Sequence, residues 1–148
     1  MLAIDGSSHS AEAAKLVASR PWPPDTIISV LTVVENIAQV PDIWTGTAGI
    51  EMLELARQEL TTQANQLITG VAETLLARGL VVETAVHYGE PRSVIVDQAE
   101  EWSADLIVVG SHGYTWVKRL LLGSVAQAVV LRAPCSVEVV RKKRQKDT

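Results

Sequence analysis

One cysteine in 148 residues, Cys135, excludes an internal disulfide and any cysteine-rich metal site. No run approaches the ~18–20 uninterrupted apolar residues of a membrane span, and no basic segment followed by a long apolar one stands at the start, so no membrane partner and a cytoplasmic location are expected. His9, His87 and His112 never fall at metal-ligand spacing with one another or with Cys135. Three familiar site signatures are also missing. The segment Asp5-Gly6-Ser7-Ser8-His9-Ser10 lacks the three spaced glycines of a dinucleotide fold. There is no Gly-Lys-Ser/Thr of a P-loop and no Gly-x-Ser-x-Gly nucleophile elbow. Internal repeats and low-complexity segments are absent as well.

At 47% hydrophobic and 20% charged residues, the composition suits one globular domain with a substantial core. Its expected extent is residues 1–141, followed by a solvated basic tail over 142–148. The last eight residues carry a local charge of +4 against −4 for the whole chain, so the preceding residues carry −8. An acidic body argues against a nucleic-acid partner, because phosphate backbones call for a broad basic face. Cys135 reads as a small thiol opening a late strand.

The order of elements reads as an alternation of strands and helices. Leu2 to Ile4 is a strand, short because Met1 stands directly before it; the cap cluster Asp5 to Ser8 leads into an alanine-rich helix over Ala11 to Ala18. Thr26 to Val34 is a β-branched strand, followed by a loop with Pro41, Gly46 and Gly49. Leu53, Ala56, Leu60, Ala64, Leu67, Val71 and Leu75 recur at helical spacing, predicting one long amphipathic helix from Ile50 to Arg78 that Gly79 stops. Leu80 to Tyr88 is a third strand. Pro91 starts a helix whose face is Val94, Ile95, Ala99 and Trp102. Asp105 to Val109 and Ser136 to Val140 are the last two strands, separated by a helix from Ser124 to about Arg132. With no hairpin signal, the expected fold is α/β: a five-stranded parallel open sheet with helices on both faces.

The stretch Gly110-Ser111-His112-Gly113 follows a strand, and nine residues later comes Gly123-Ser124. Carboxyl ends of strands are where open α/β sheets bind ligands. Glycines let a loop turn sharply through positive φ and bring its amides close to an anion, and Ser124 with Gln127 reads as a capping box for a helix whose free amides face the same space. The bland alternative is a tight turn followed by an ordinary cap; the strand, loop and helix order favours an anion site.

Asp5-Gly6-Ser7, Leu31-Thr32-Val33, the run Ala104 to Gly113, Leu120 to Val125 and Ala133-Pro134-Cys135 together resemble the universal stress protein family over almost the whole chain. The resemblance implies an adenine nucleotide α-hydrolase-like fold of strand order 3-2-1-4-5, commonly a homodimer, and a role in stress response. It also implies ATP as ligand, with Mg²⁺ or Mn²⁺ held through the phosphates. Position by position it implies that Ala3 and Asp5 lie by the adenosine and that the Val33 backbone meets the adenine edge. Val109 and Gly110 would line the ribose, and Gly113, Gly123, Ser124 and Val125 would surround the phosphates. Read without the resemblance, Asp5 serves equally well as an Asx turn and Val33 as core, while Lys118, Arg119 and His112 are surface groups by default.

Ser136 and Glu138 share a face of the last strand opposite Val137 and Val139, and like charges opposed at an edge would weaken a dimer formed there. Three functions remain open: an ATP-binding regulatory protein, a slow ATP hydrolase, and a nucleotide-free dimerisation or chaperone-like module. No carboxylate with an evident duty as general base accompanies the loop, which ranks catalysis lower.

Overall fold

A computed structural model describes residues 1–36, 47–113 and 122–142. Pro41, Gly46, Lys118, Arg119 and most of the basic tail lie outside the described residues. In chain order the elements are β1 (Leu2–Ala3), α1 (Ser8–Ser19), β2 (Ile27–Val34), α2 (Thr47–Leu76), β3 (Val81–Tyr88), α3 (Pro91–Glu101), β4 (Leu106–Gly110), α4 (Ser124–Arg132) and β5 (Ser136–Val140). The sheet is parallel throughout, in the order β3-β2-β1-β4-β5.

Each central strand is apolar on both faces because helices cover both. On one side Ala13 and Val17 of α1 and Ile68 and Leu75 of α2 pack over Leu2, Ile4, Ile28, Val30 and Val108. On the other, Ile95, Val96 and Ala99 of α3 and Ala126 and Val129 of α4 pack over Ala3, Leu31, Ile107 and Val109. β1 contributes only Leu2 and Ala3 to the ladder, flanked by Val30 and Leu31 of β2 and by Val108 and Val109 of β4. The chain runs from β1 to β2 on one side and reaches β4 on the other, so the carboxyl ends of β1 and β4 form the crevice of a topological switch point.

Helix α2 departs from its sequence reading. Its buried residues are Ala64, Ile68, Ala72 and Leu75, whereas Ala56 and Leu60, expected on the core face, are exposed and Leu53 is only half-buried. The reason is length. A helix of 30 residues spans ~45 Å, but strands of eight residues span only ~26 Å. The Tyr88 hydroxyl, at the end of β3, lies 3.0 Å from Thr61 Oγ1, and of the α2 residues from Gly49 to Leu60 none packs its side chain fully into the core. Gly49 belongs to this helix and not to the preceding loop. Gly79 ends it as expected, in the left-handed region at φ 79°.

Gly70 sits in mid-helix, exposed, with nothing within 4 Å of where a β-carbon would be. Gly70→Ala is expected to stabilise the chain by about 0.5–1 kcal/mol through reduced backbone entropy of the unfolded state. Thermal unfolding should show a midpoint raised by a few degrees; a lower midpoint would mean that this helix face is covered.

Candidate functional site

Three segments converge at the switch point. The first is the turn after β1. Gly6 adopts φ 82°, and the Ser7 amide donates to Asp5 Oδ1 at 2.9 Å, so Asp5 does form the Asx turn that its sequence context allows. Ser7 is the N-cap of α1, its Oγ accepting from the Ser10 amide at 3.2 Å, and the helix therefore starts three residues before the alanine-rich stretch.

The second segment is the loop Gly110 to Gly113. The Ser111 amide donates to the Val140 carbonyl at 2.8 Å, and Ser7 Oγ donates to the His112 carbonyl at 3.3 Å. The loop is thus tied to the end of β5 and to the start of α1. Sequence reasoning read Ser7 only as part of a cap cluster and missed this second bond, which joins residues far apart in the chain. Of the two properties that glycine offers there, positive φ is not used at Gly110 or Gly113; among the described glycines those in that region are Gly6, Gly79 and Gly89. What these two positions require is space. A β-carbon on Gly110 would lie 2.7 Å from backbone atoms of both His9 and Ser10, and one on Gly113 would lie 2.9 Å from Asp5 Oδ2.

The third segment is the start of α4. Its N-cap is Gly123, in extended conformation and without a side-chain cap bond, which corrects the assignment of that role to Ser124 and of a capping box to Ser124 and Gln127. The Gly123 carbonyl accepts from the Gln127 amide at 2.9 Å, while its own amide donates to the Ser111 carbonyl at 2.7 Å. A β-carbon on Gly123 would stand 3.1 Å from His112 Cα, so close contact with the loop takes the cap position for glycine and moves Ser124 to the first helical position, exposed. By helix geometry the amides of Ser124, Val125 and Ala126 have no intrahelical partner, and they lie at the positive end of the helix dipole.

Other expected site residues lie along the floor on the α3/α4 side. Ala3 and Val109 are ladder partners buried in the same cluster, against which the half-buried Val33 and Val125 also pack. Only main-chain atoms of Ala3 and Val109 are therefore suited to touch a ligand. The Leu31 carbonyl accepts from the Ile4 amide at 2.9 Å toward β1, whereas the Val34 carbonyl accepts from the Gly89 amide at 3.0 Å on the opposite side. Peptide groups alternate between neighbours along a strand, so the Val33 peptide faces the β1 side, where the ladder has already ended at Ala3. The Ser111 hydroxyl lies 3.1 Å from His112 Nδ1, but Ser111 is 0% exposed and the pair is sealed in the loop. Among the described residues no group of three or more His, Cys, Asp or Glu could hold a metal ion, and no helix is long and apolar enough to cross a membrane.

The sequence profile of the Universal stress protein family matches residues 1–141. The chain belongs to the universal stress protein family. It is 32% identical to a universal stress protein of Methanocaldococcus jannaschii, over 98% of this chain and 82% of that protein. Its fold superposes with a TM-score of 0.85 on the solved hypothetical protein MJ0577, at 27% identity, covering 97% of this chain and 95% of the other. The same fold is seen in an Arabidopsis thaliana family member with AMP bound, at a TM-score of 0.64 and 18% identity over 100% of this chain and 94% of that one. It recurs in a universal stress protein in complex with cAMP, at 0.62 and 23% over 95% and 93%.

Proposed function

We propose that this universal stress protein binds ATP in the crevice between the carboxyl ends of β1 and β4 and acts as a nucleotide-dependent regulator in a stress response. The observation that carries the reading is the cradle made by Gly113 and Gly123. A β-carbon at Gly113 would stand 2.9 Å from the Asp5 carboxylate and one at Gly123 3.1 Å from His112 Cα, and both glycines border the open amides at the start of α4. AMP and cAMP bound to proteins of the same fold support an adenine nucleotide as the class of ligand. In this reading Asp5, held by its Asx turn beside Gly113, would lie by the adenosine, the Val33 peptide would meet the adenine edge, and Val109 and Gly110 would line the ribose. Mg²⁺ or Mn²⁺ would be held by phosphate oxygens and water.

ATP with Mg²⁺ is expected to bind at least tenfold more tightly than GTP, because a backbone donor and acceptor that match adenine misplace the groups of guanine. Calorimetric titration measures both affinities. Equal affinities would remove Val33 from the base site while leaving the phosphate loop in place; no binding of either would end the nucleotide reading.

Homodimerisation through the outer edge of β5 forms part of the same proposal. Glu138 does not lie there as a free charge: Arg20, at the end of α1, donates to its Oε1 at 2.7 Å while stacking over Trp22, 5.0 Å from the ring centroid. That pairing removes the like-charge objection to a dimer across this edge, and light scattering over a dilution series tests it.

A further inference from the structure

Where the glycine loop passes over the start of α1, two imidazoles meet that the nucleotide reading does not use. The ring centroids of His9 and His112 are 5.3 Å apart, with the planes tilted by 50°. His9 is the second residue of α1 and half-buried; His112 lies inside the loop and is buried. The bonds from Ser7 to His112, from Ser111 to Val140 and from Gly123 to Ser111 clamp that loop from three sides. The pair therefore shares its framework with the candidate phosphate site.

The charged groups around His9 come from each neighbouring element. Asp5 lies at the end of β1, Glu12 one turn further along α1, His112 in the loop, and Lys142 just beyond β5. Burial, then the fields of His112 and Lys142, push the His9 pKa below its ordinary value, and Asp5 opposes them. In the ligand-free protein the surroundings thus disfavour a proton on His9. A polyanion on the loop would reverse the sign of that local field.

We propose that His9, packed against His112 at the glycine loop, couples filling of that loop to its own proton uptake, so that the site holds oligophosphates more tightly as the pH falls through neutrality. The inference rests on the nucleotide-binding reading. Because the coupling is electrostatic, it grows with the charge of the phosphate chain and is larger for ATP than for AMP. Without ligand the sign is opposite. A histidine whose pKa is lowered by folding destabilises the folded chain as the pH drops below about 6.5, because the unfolded state takes up the proton first.

Calorimetric titration of the whole chain with MgATP, in buffers of different ionisation enthalpy at about pH 6 and pH 8, reads the number of protons taken up. The parent is expected to gain roughly five- to tenfold more affinity between the two pH values than His9→Gln does, with correspondingly greater uptake. Titration of the phosphate of ATP itself is common to both proteins and drops out of the comparison. In the parent alone, the His9 ring resonance followed by NMR should titrate at higher pH once ATP is added, which keeps the test independent of the variant. Equal uptake in the two proteins, together with a His9 titration unmoved by ATP, overturns the coupling while leaving nucleotide binding intact. Failure of ATP to bind at either pH removes both.

Discussion

Gly113→Val is expected to abolish ATP binding, with a loss of roughly 100-fold or more in affinity, equivalent to about 3 kcal/mol. The first atom of the new side chain would fall 2.9 Å from Asp5 Oδ2, and its methyl groups would project further into the space between the β1 turn and the glycine loop. Asp5 would have to leave its Asx turn, or the loop would have to lift away from α4. Either movement separates the groups proposed to hold the adenosine and the phosphates. Gly113 is half-buried in a surface loop and has no place in either hydrophobic cluster, so the fold should survive. Ser124→Ala provides the mild comparison. Since Ser124 caps nothing, its loss removes one hydroxyl, leaves the backbone amides in place and should weaken binding only a fewfold. ATP affinity and thermal unfolding measured on both variants decide the matter, and unchanged affinity in Gly113→Val would reduce the loop to a turn.

Gly110→Ala should act first on the fold, lowering stability by about 1–3 kcal/mol. Here a methyl group would come 2.7 Å from main-chain atoms of His9 and Ser10, and main chain cannot swing aside as a flexible side chain can. α1 would have to withdraw from β4. That strains the Ser7 cap and the packing of Ala13 and Val17 against the sheet. Urea unfolding gives the difference directly, and a variant as stable as its parent would show that α1 has room to move away from β4 without cost. Two glycines three residues apart thus make different close contacts, Gly110 with the main chain of α1 and Gly113 with the Asp5 carboxylate.

That difference was hidden in the sequence, where both glycines offered the same two properties, access to positive φ and the lack of a Cβ. Glycine serves close approach as well as left-handed backbone, and a pattern of letters does not say which. Among the described glycines, Gly6, Gly79 and Gly89 are the ones at positive φ. Ser124 likewise looked like a cap because Ser-x-x-Gln before apolar residues usually is one. The cap passed to Gly123 once the Ser111 carbonyl and His112 Cα were seen to crowd that position. The meeting of His9 with His112 had no signal at all, since the two are far apart in the chain and approach only when β1 and β4 lie side by side.

By itself the sequence determined the class of fold, the number and order of its strands and helices, and the family, because periodicity, β-branched runs and punctuation by Gly and Pro are local properties of the chain. Leu106 to Val109 reads as a covered strand, and Pro134 as the end of the helix before it. Tertiary structure alone decided which half of α2 finds a core, since that depends on how far the strands beneath it extend. It also decided which glycine is structural, which amide begins α4 and which charge Glu138 meets. Each of those outcomes is set by distances between segments that the chain brings together only on folding.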